Sequence, residues 1–192
     1  MPGSDQSAAV DLETATARTR AWVQHAVIGL GLCPFARAPQ AQGRIRYRVS
    51  TARDEDALLA DLAEELRLLA QADPQQVETT LLVHPWVLGR FEDFNQFLEI
   101  ADAAVAALGM TGVLQVASFH PDYRFEGTAP DDIANATNRS PFPILHLLRE
   151  DSVAEAVRAH GDTDAIYQAN VRRLEQLGAQ GWAALRSLID RG

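Results

Sequence analysis

Leu81-Leu82-Val83-His84-Pro85 and Leu114-Gln115-Val116-Ala117-Ser118-Phe119-His120-Pro121 are two apolar runs that end alike, each in a His-Pro step. A helical pattern separates them. A strand, a helix and a second strand call for a right-handed crossover and a parallel pair. Both histidines, 36 positions apart, then leave the sheet at its carboxyl edge, where open α/β sheets hold their ligands.

The pattern extends in both directions from these runs. Arg44-Ile45-Arg46-Tyr47-Arg48-Val49 alternates strictly and predicts an earlier strand, with Ile45, Tyr47 and Val49 on its apolar face. Its arginine face is expected to be solvated; if covered, it is an anion site. Leu58, Leu62, Leu66 and Leu69 recur at helical spacing between this strand and Thr79, where the next strand opens. Phe94, Phe97, Leu98, Ala101 and Val105 mark the helix that follows. Residues 16–32 read as an amphipathic helix stopped near Pro34, residues 144–149 as a short fourth strand, and residues 152–159 and 164–189 as helices. The expected fold class is α/β: a small, largely parallel sheet of β-α-β-α-β order plus a fourth strand, flanked by helices. The expected organisation is a flexible amino terminus, residues 1–15, and a single domain, residues 16–192.

Composition narrows the function classes. A chain of 192 residues can bury about 70% of the surface its unfolded form exposes, so it needs no staple to fold. No apolar run approaches the roughly 20 residues of a membrane span. The polar, alanine-rich start does not read as a secretory signal. The lone Cys33 excludes an internal disulfide and fits a reducing, cytoplasmic setting. A net charge of −9 argues against general nucleic-acid binding, which depends on neutralising phosphates. Every one of the 17 basic side chains is arginine, which removes Schiff-base chemistry and any lysine-dependent phosphate loop.

The residues with chemistry gather near the His-Pro steps. His84 and His120 are candidate metal ligands or acid–base groups, with Asp122 as a carboxylate partner two positions on. Two imidazoles and a carboxylate suit a divalent transition metal; the competing reading is that each histidine caps its strand against backbone. Cys33, in Leu32-Cys33-Pro34-Phe35-Ala36, lacks a second cysteine and is either a single reactive thiol or an inert buried one. Residues 121–143 show no periodicity, and so long a segment inside a domain is either functional or disordered; its polar content favours function, against a loop whose polar groups satisfy its own backbone. Within it Arg139 offers a planar fork for a carboxylate or phosphate, and Asn135 and Asn138 are candidates to orient a substrate. His146 reads as a core histidine with one satisfied hydrogen bond.

Five stretches together resemble the bacterial family of unknown function DUF1415. They are Gly-Leu-Cys-Pro-Phe-Ala (31–36), Arg-Tyr-Arg-Val-Ser (46–50), Thr-Thr-Leu-Leu-Val-His-Pro (79–85), Val-Ala-Ser-Phe-His-Pro-Asp-Tyr-Arg-Phe (116–125) and Asn-Arg-Ser-Pro-Phe-Pro (138–143). The resemblance runs from about Arg20 to Leu185 and implies no particular activity, substrate or cofactor. The residues themselves lead to the expectation of an enzyme acting on a small anionic molecule. A non-catalytic ligand-binding or protein-interaction module is the alternative.

Overall fold

The computed structural model describes residues 10–160 and 163–191. Its elements in chain order are α1 (Leu12–Trp22), a π-helical turn (Val23–Ile28), α2 (Arg37–Ala41), β1 (Ile45–Val49), α3 (Glu55–Gln71), β2 (Thr79–Val83), α4 (Phe91–Ala107) and β3 (Leu114–Phe119). A 3-10 helix (Ile133–Asn138), β4 (Ile144–Arg149), α5 (Glu150–His160) and α6 (Thr163–Ile189) complete it. The expected flexible segment 1–15 falls mostly outside the described residues. Its last four residues belong to α1, whose amino end is capped by the Asp11 side chain accepting from the Thr14 N–H.

The fold class is α/β, but the sheet is mixed rather than largely parallel. Its strand order is β1-β2-β4-β3. β1 and β2 pair in parallel, while β4 runs antiparallel to both β2 and β3. The reason lies in the connection after β3. A parallel successor needs a crossover that carries the chain back to the amino edge. Residues 121–143 contain only the short 3-10 helix, so the chain re-enters the sheet at the edge it has just left. β4 therefore separates β2 from β3, yet those two still point the same way. Ile144 pairs with Val83 on one side and Phe119 on the other, so the residues following both strands emerge together.

Helices cover both faces. On one, Leu58, Leu62, Leu66 and Leu69 of α3 and Phe94, Phe97 and Ala101 of α4 pack against Leu82, Leu145 and Leu147. On the other, Trp22, Val23, Leu174 and Trp182 pack against Val49, Leu81, Val83 and Ile144. The expected helix over residues 16–32 changes character midway. The N–H groups of Gly29 and Leu32 reach back five residues to the carbonyls of Gln24 and Val27, the wider winding of a π-helix. A Cβ at position 29 would collide with the His25 carbonyl oxygen, which explains the glycine there. α6 is kinked at Gly178, where φ is +68°. No described helix is long and apolar enough to cross a membrane.

The arginine face of β1 is partly covered, with 36% of the Arg46 and 38% of the Arg48 side chain still open to solvent. Arg46 donates two hydrogen bonds to the buried Glu65 carboxylate of α3, at 2.7 and 2.9 Å. Arg48 lies 3.5 Å from the same carboxylate, and Arg44 pairs with Glu78 at 3.4 Å. The anion that this face holds is the protein's own.

Candidate functional site

His84 and His120 follow Val83 and Phe119, strand residues whose side chains pack on the α1 and α6 side. Both imidazoles therefore project to the opposite face, toward α4. There they meet one ring, Phe94, with centroids at 5.7 and 5.1 Å. Both histidines are fully buried. Backbone hydrogen bonds fix the two strand exits: the His84 N–H donates to the Pro143 carbonyl and the His120 N–H to that of Asn138.

The two rings differ in what they bond. Nδ1 of His84 is 3.1 Å from the Val87 carbonyl oxygen. A carbonyl only accepts, so Nδ1 carries the proton. Nε2 is then a buried lone pair without a hydrogen-bond partner among the described residues. Burial pushes the pKa of this imidazole down to about 4; the nearby His120 adds to the effect, and the bond to the Val87 carbonyl opposes it. In His120, Nδ1 accepts the Asp122 N–H at 3.0 Å. That assigns the proton to Nε2, which donates to the Leu88 carbonyl at 3.2 Å. Burial lowers His120 too, against the Leu88 carbonyl and the charges of Asp122 and Glu92. Both rings are neutral near pH 7, and both ring nitrogens of His120 are occupied by backbone.

Between the two histidines the chain makes a tight turn. Leu88 has φ of +57°, the one non-glycine residue with positive φ among the described residues. Beyond it the chain enters α4 at Arg90, whose side chain does not cap the helix. A cleft of about 380 Å³ opens here, lined by Arg90, Phe91, Glu92, Asp122, Arg124 and Arg139 among others.

Arg139 is held in an unusual way. Its Nε donates to the Tyr123 carbonyl at 3.3 Å and its Nη2 to the Pro130 carbonyl at 2.6 Å. Neither partner carries charge, and Arg139 forms no ion pair among the described residues. Burial lowers its pKa, with Asp122 opposing and Arg186 reinforcing. The backbone beside it is anchored by the Trp22 indole N–H donating to the Arg139 carbonyl at 3.0 Å. Three arginines against two carboxylates leave the cleft lining with a formal charge of +1, on a chain whose net charge is −9. A broader hollow of about 650 Å³ shares Gly89 and Arg90. There Asp54, Glu55, Asp56 and Asp93 outnumber Arg53 and Arg90, so it repels anions.

The structure brings His84, His120, Asp122 and Arg139 into one region, though not as a ligand set. Asp122 meets His120 through its backbone N–H, while the residue itself is exposed and lines the cleft. Among the described residues, no group of three or more His, Cys, Asp or Glu side chains is placed to hold a metal ion. Asn135 is buried and engaged. Its Oδ1 accepts from the Phe125 N–H and the Thr128 hydroxyl, and its Nδ2 donates to the Ala129 carbonyl. The Asn138 amide donates to the Ser118 carbonyl at the edge of β3. Both asparagines shape the 121–143 segment instead of lining the cleft. Cys33 belongs to the other side of the sheet. Its neighbours Leu32 and Ala36 pack in the α1–α6 core, and burial raises its thiol pKa. His146 bonds the Thr79 hydroxyl through Nε2 at 2.8 Å, as a core histidine should.

The family model for proteins of unknown function DUF1415 matches residues 14–184. The chain belongs to that family. No curated protein and no solved structure matches it. The family is defined without a function, so the roles of the cleft residues rest on their geometry. Sequence pattern alone does not single out Arg90 and Glu92. The available signal was a helix starting after Gly89-Arg90 with no Ser, Thr, Asp or Asn at its cap.

Proposed function

We propose that this protein recognises a small anionic molecule, bearing a phosphate or carboxylate, in the cleft formed by Arg90, Arg124 and Arg139. The observation that carries this reading is the state of Arg139. Its guanidinium is oriented by two carbonyls that do not neutralise it, and its Nη1 has no partner among the described residues. A planar fork held this way favours a bidentate oxyanion over a point-like one. The first turn of α4 has no side-chain cap, but Glu92 and Asp93 already place two carboxylates at its positive end, so the arginines carry the reading.

Recognition, not histidine chemistry, is the primary role of this cleft, because His120 has no ring nitrogen left for a ligand. A second reading, turnover of the bound anion, draws on Asp122, which is exposed in the same cleft.

Thermal unfolding with inorganic phosphate, pyrophosphate and citrate, at constant ionic strength against chloride, tests the reading. An anion present at ten times its Kd stabilises by about 1.4 kcal/mol, which raises Tm by roughly 3–6 °C for a chain of this size. Arg139→Lys keeps the charge but loses the fork, and should abolish most of that rise. No Tm response to any of the three anions would overturn the proposal.

A further inference from the structure

We infer that His120 is a positioning residue for the anion cleft, joining its two walls through opposite ring nitrogens. The inference rests on the proposed anion binding. One wall is the turn into α4, carrying Arg90, Phe91 and Glu92. The other is the segment after β3, carrying Asp122 and Arg124. Among the described residues, no backbone–backbone hydrogen bond connects Leu88 to Asp122. The imidazole does: Nε2–H donates to the Leu88 carbonyl at 3.2 Å and Nδ1 accepts the Asp122 N–H at 3.0 Å.

Three further observations make this pin specific. Leu88 sits in the left-handed region, which a residue with a Cβ adopts only at some cost, so its carbonyl needs a fixed partner to keep the turn. Arg90 follows two residues later. Phe91 packs on both His120 and Tyr123, with centroids at 5.5 and 5.2 Å, so the ring also sets the spacing between the walls. Finally, Tyr123 links the pin to the guanidinium. Its neighbour Asp122 is tied to His120, and its own carbonyl orients Arg139. A displaced 122–124 segment therefore misaims the guanidinium as well.

Titration calorimetry with inorganic phosphate tests this in the wild-type protein, His120→Phe, His120→Gln and Val105→Ala. Phenylalanine keeps the ring packing and removes both bonds, and should weaken phosphate binding tenfold or more. Glutamine can both donate and accept, and should recover affinity to within about threefold of wild type. Val105 lies in the core and does not line the cleft, so Val105→Ala lowers stability without lowering affinity. Wild-type affinity in His120→Phe, or equal losses in His120→Phe and Val105→Ala, overturns the positioning role. Amide hydrogen exchange supplies a readout that needs no ligand. His120→Phe should speed exchange in 89–92 and 122–124 together, and faster exchange in one wall alone refutes the coupling. A wild-type protein that binds no phosphate, pyrophosphate or citrate instead overturns the anion reading beneath it.

Discussion

Acid should destabilise this protein through His84, by an amount the structure sets. The folded imidazole is neutral and fully buried, with its proton on Nδ1 and burial holding its pKa down to about 4. In the unfolded chain it titrates near 6.5. As pH falls through 6.5 the unfolded state takes up a proton that the folded state refuses until about 4. The stabilisation is complete above roughly pH 7 and is lost across that window. A shift from 6.5 to about 4 corresponds to about 3 kcal/mol in total, of which roughly 2 kcal/mol is gone by about pH 5. The assay is urea unfolding of wild type and His84→Asn at about pH 7.5 and about pH 5, either side of most of that loss. Asparagine can still donate to the Val87 carbonyl but does not titrate. His146, also pushed down to about 4 by burial, titrates in both proteins and cancels. The wild-type advantage should therefore shrink by roughly 2 kcal/mol between the two pH values. An advantage independent of pH, or a wild-type His84 ring signal that titrates near its unfolded value by NMR, would show that burial does not hold this imidazole neutral.

Gly29→Ala forces a Cβ against the His25 carbonyl in the π-helical turn; a loss of about 1–3 kcal/mol is expected, and an unchanged urea midpoint would show that the turn relaxes freely. Glu65→Gln removes the charge shared by Arg46 and Arg48. Both arginines remain partly exposed, at 36% and 38% of their side chains, so water compensates in part and the cost should be about 1–2 kcal/mol, below that of a fully buried pair. A urea midpoint unchanged by this substitution would show that the paired charge contributes nothing. Cys33, whose thiol pKa burial raises, should react with a disulfide reagent at about pH 8 at least roughly tenfold more slowly in the native protein than in urea; equal rates would place the thiol in solvent.

The elements of this fold were legible in the sequence because their signals are local. The leucines of α3 and the aromatic residues of α4 repeat at helical spacing, and Leu58, Leu62, Leu66, Leu69, Phe94 and Phe97 are all buried. The β-α-β-α-β order follows from the same local patterns. The place of β4 was not legible. Nothing in Ile144–Arg149 states which strands it pairs with, since pairing is a tertiary choice made by the connection before it. The arginines of β1 illustrate the same limit: alternation predicts a face, and only the position of Glu65 on α3 decides what that face meets. At the site, the His-Pro steps marked one edge of the sheet. What their imidazoles bond could not be read, because a free ring and a ring bonded to backbone look identical in a sequence. The cleft arginines became informative only once the turn at Leu88 and the segment after β3 faced each other.

The insertion of β4 has a consequence for how the chain is made. Its sheet is bridged from the middle by the last of the four strands to leave the ribosome. Until residues 144–149 emerge, β2 and β3 have no shared neighbour, and each offers an open edge to other chains. A nascent chain that ends just after Phe119 thus holds one finished strand pair and one stranded β3. Contacts this distant in sequence also form slowly. Stalled or truncated translation products that stop short of β4 should aggregate, while arrival of β4 pairs the facing edges of β2 and β3 in a single step and leaves β1 and β3 as the outer strands.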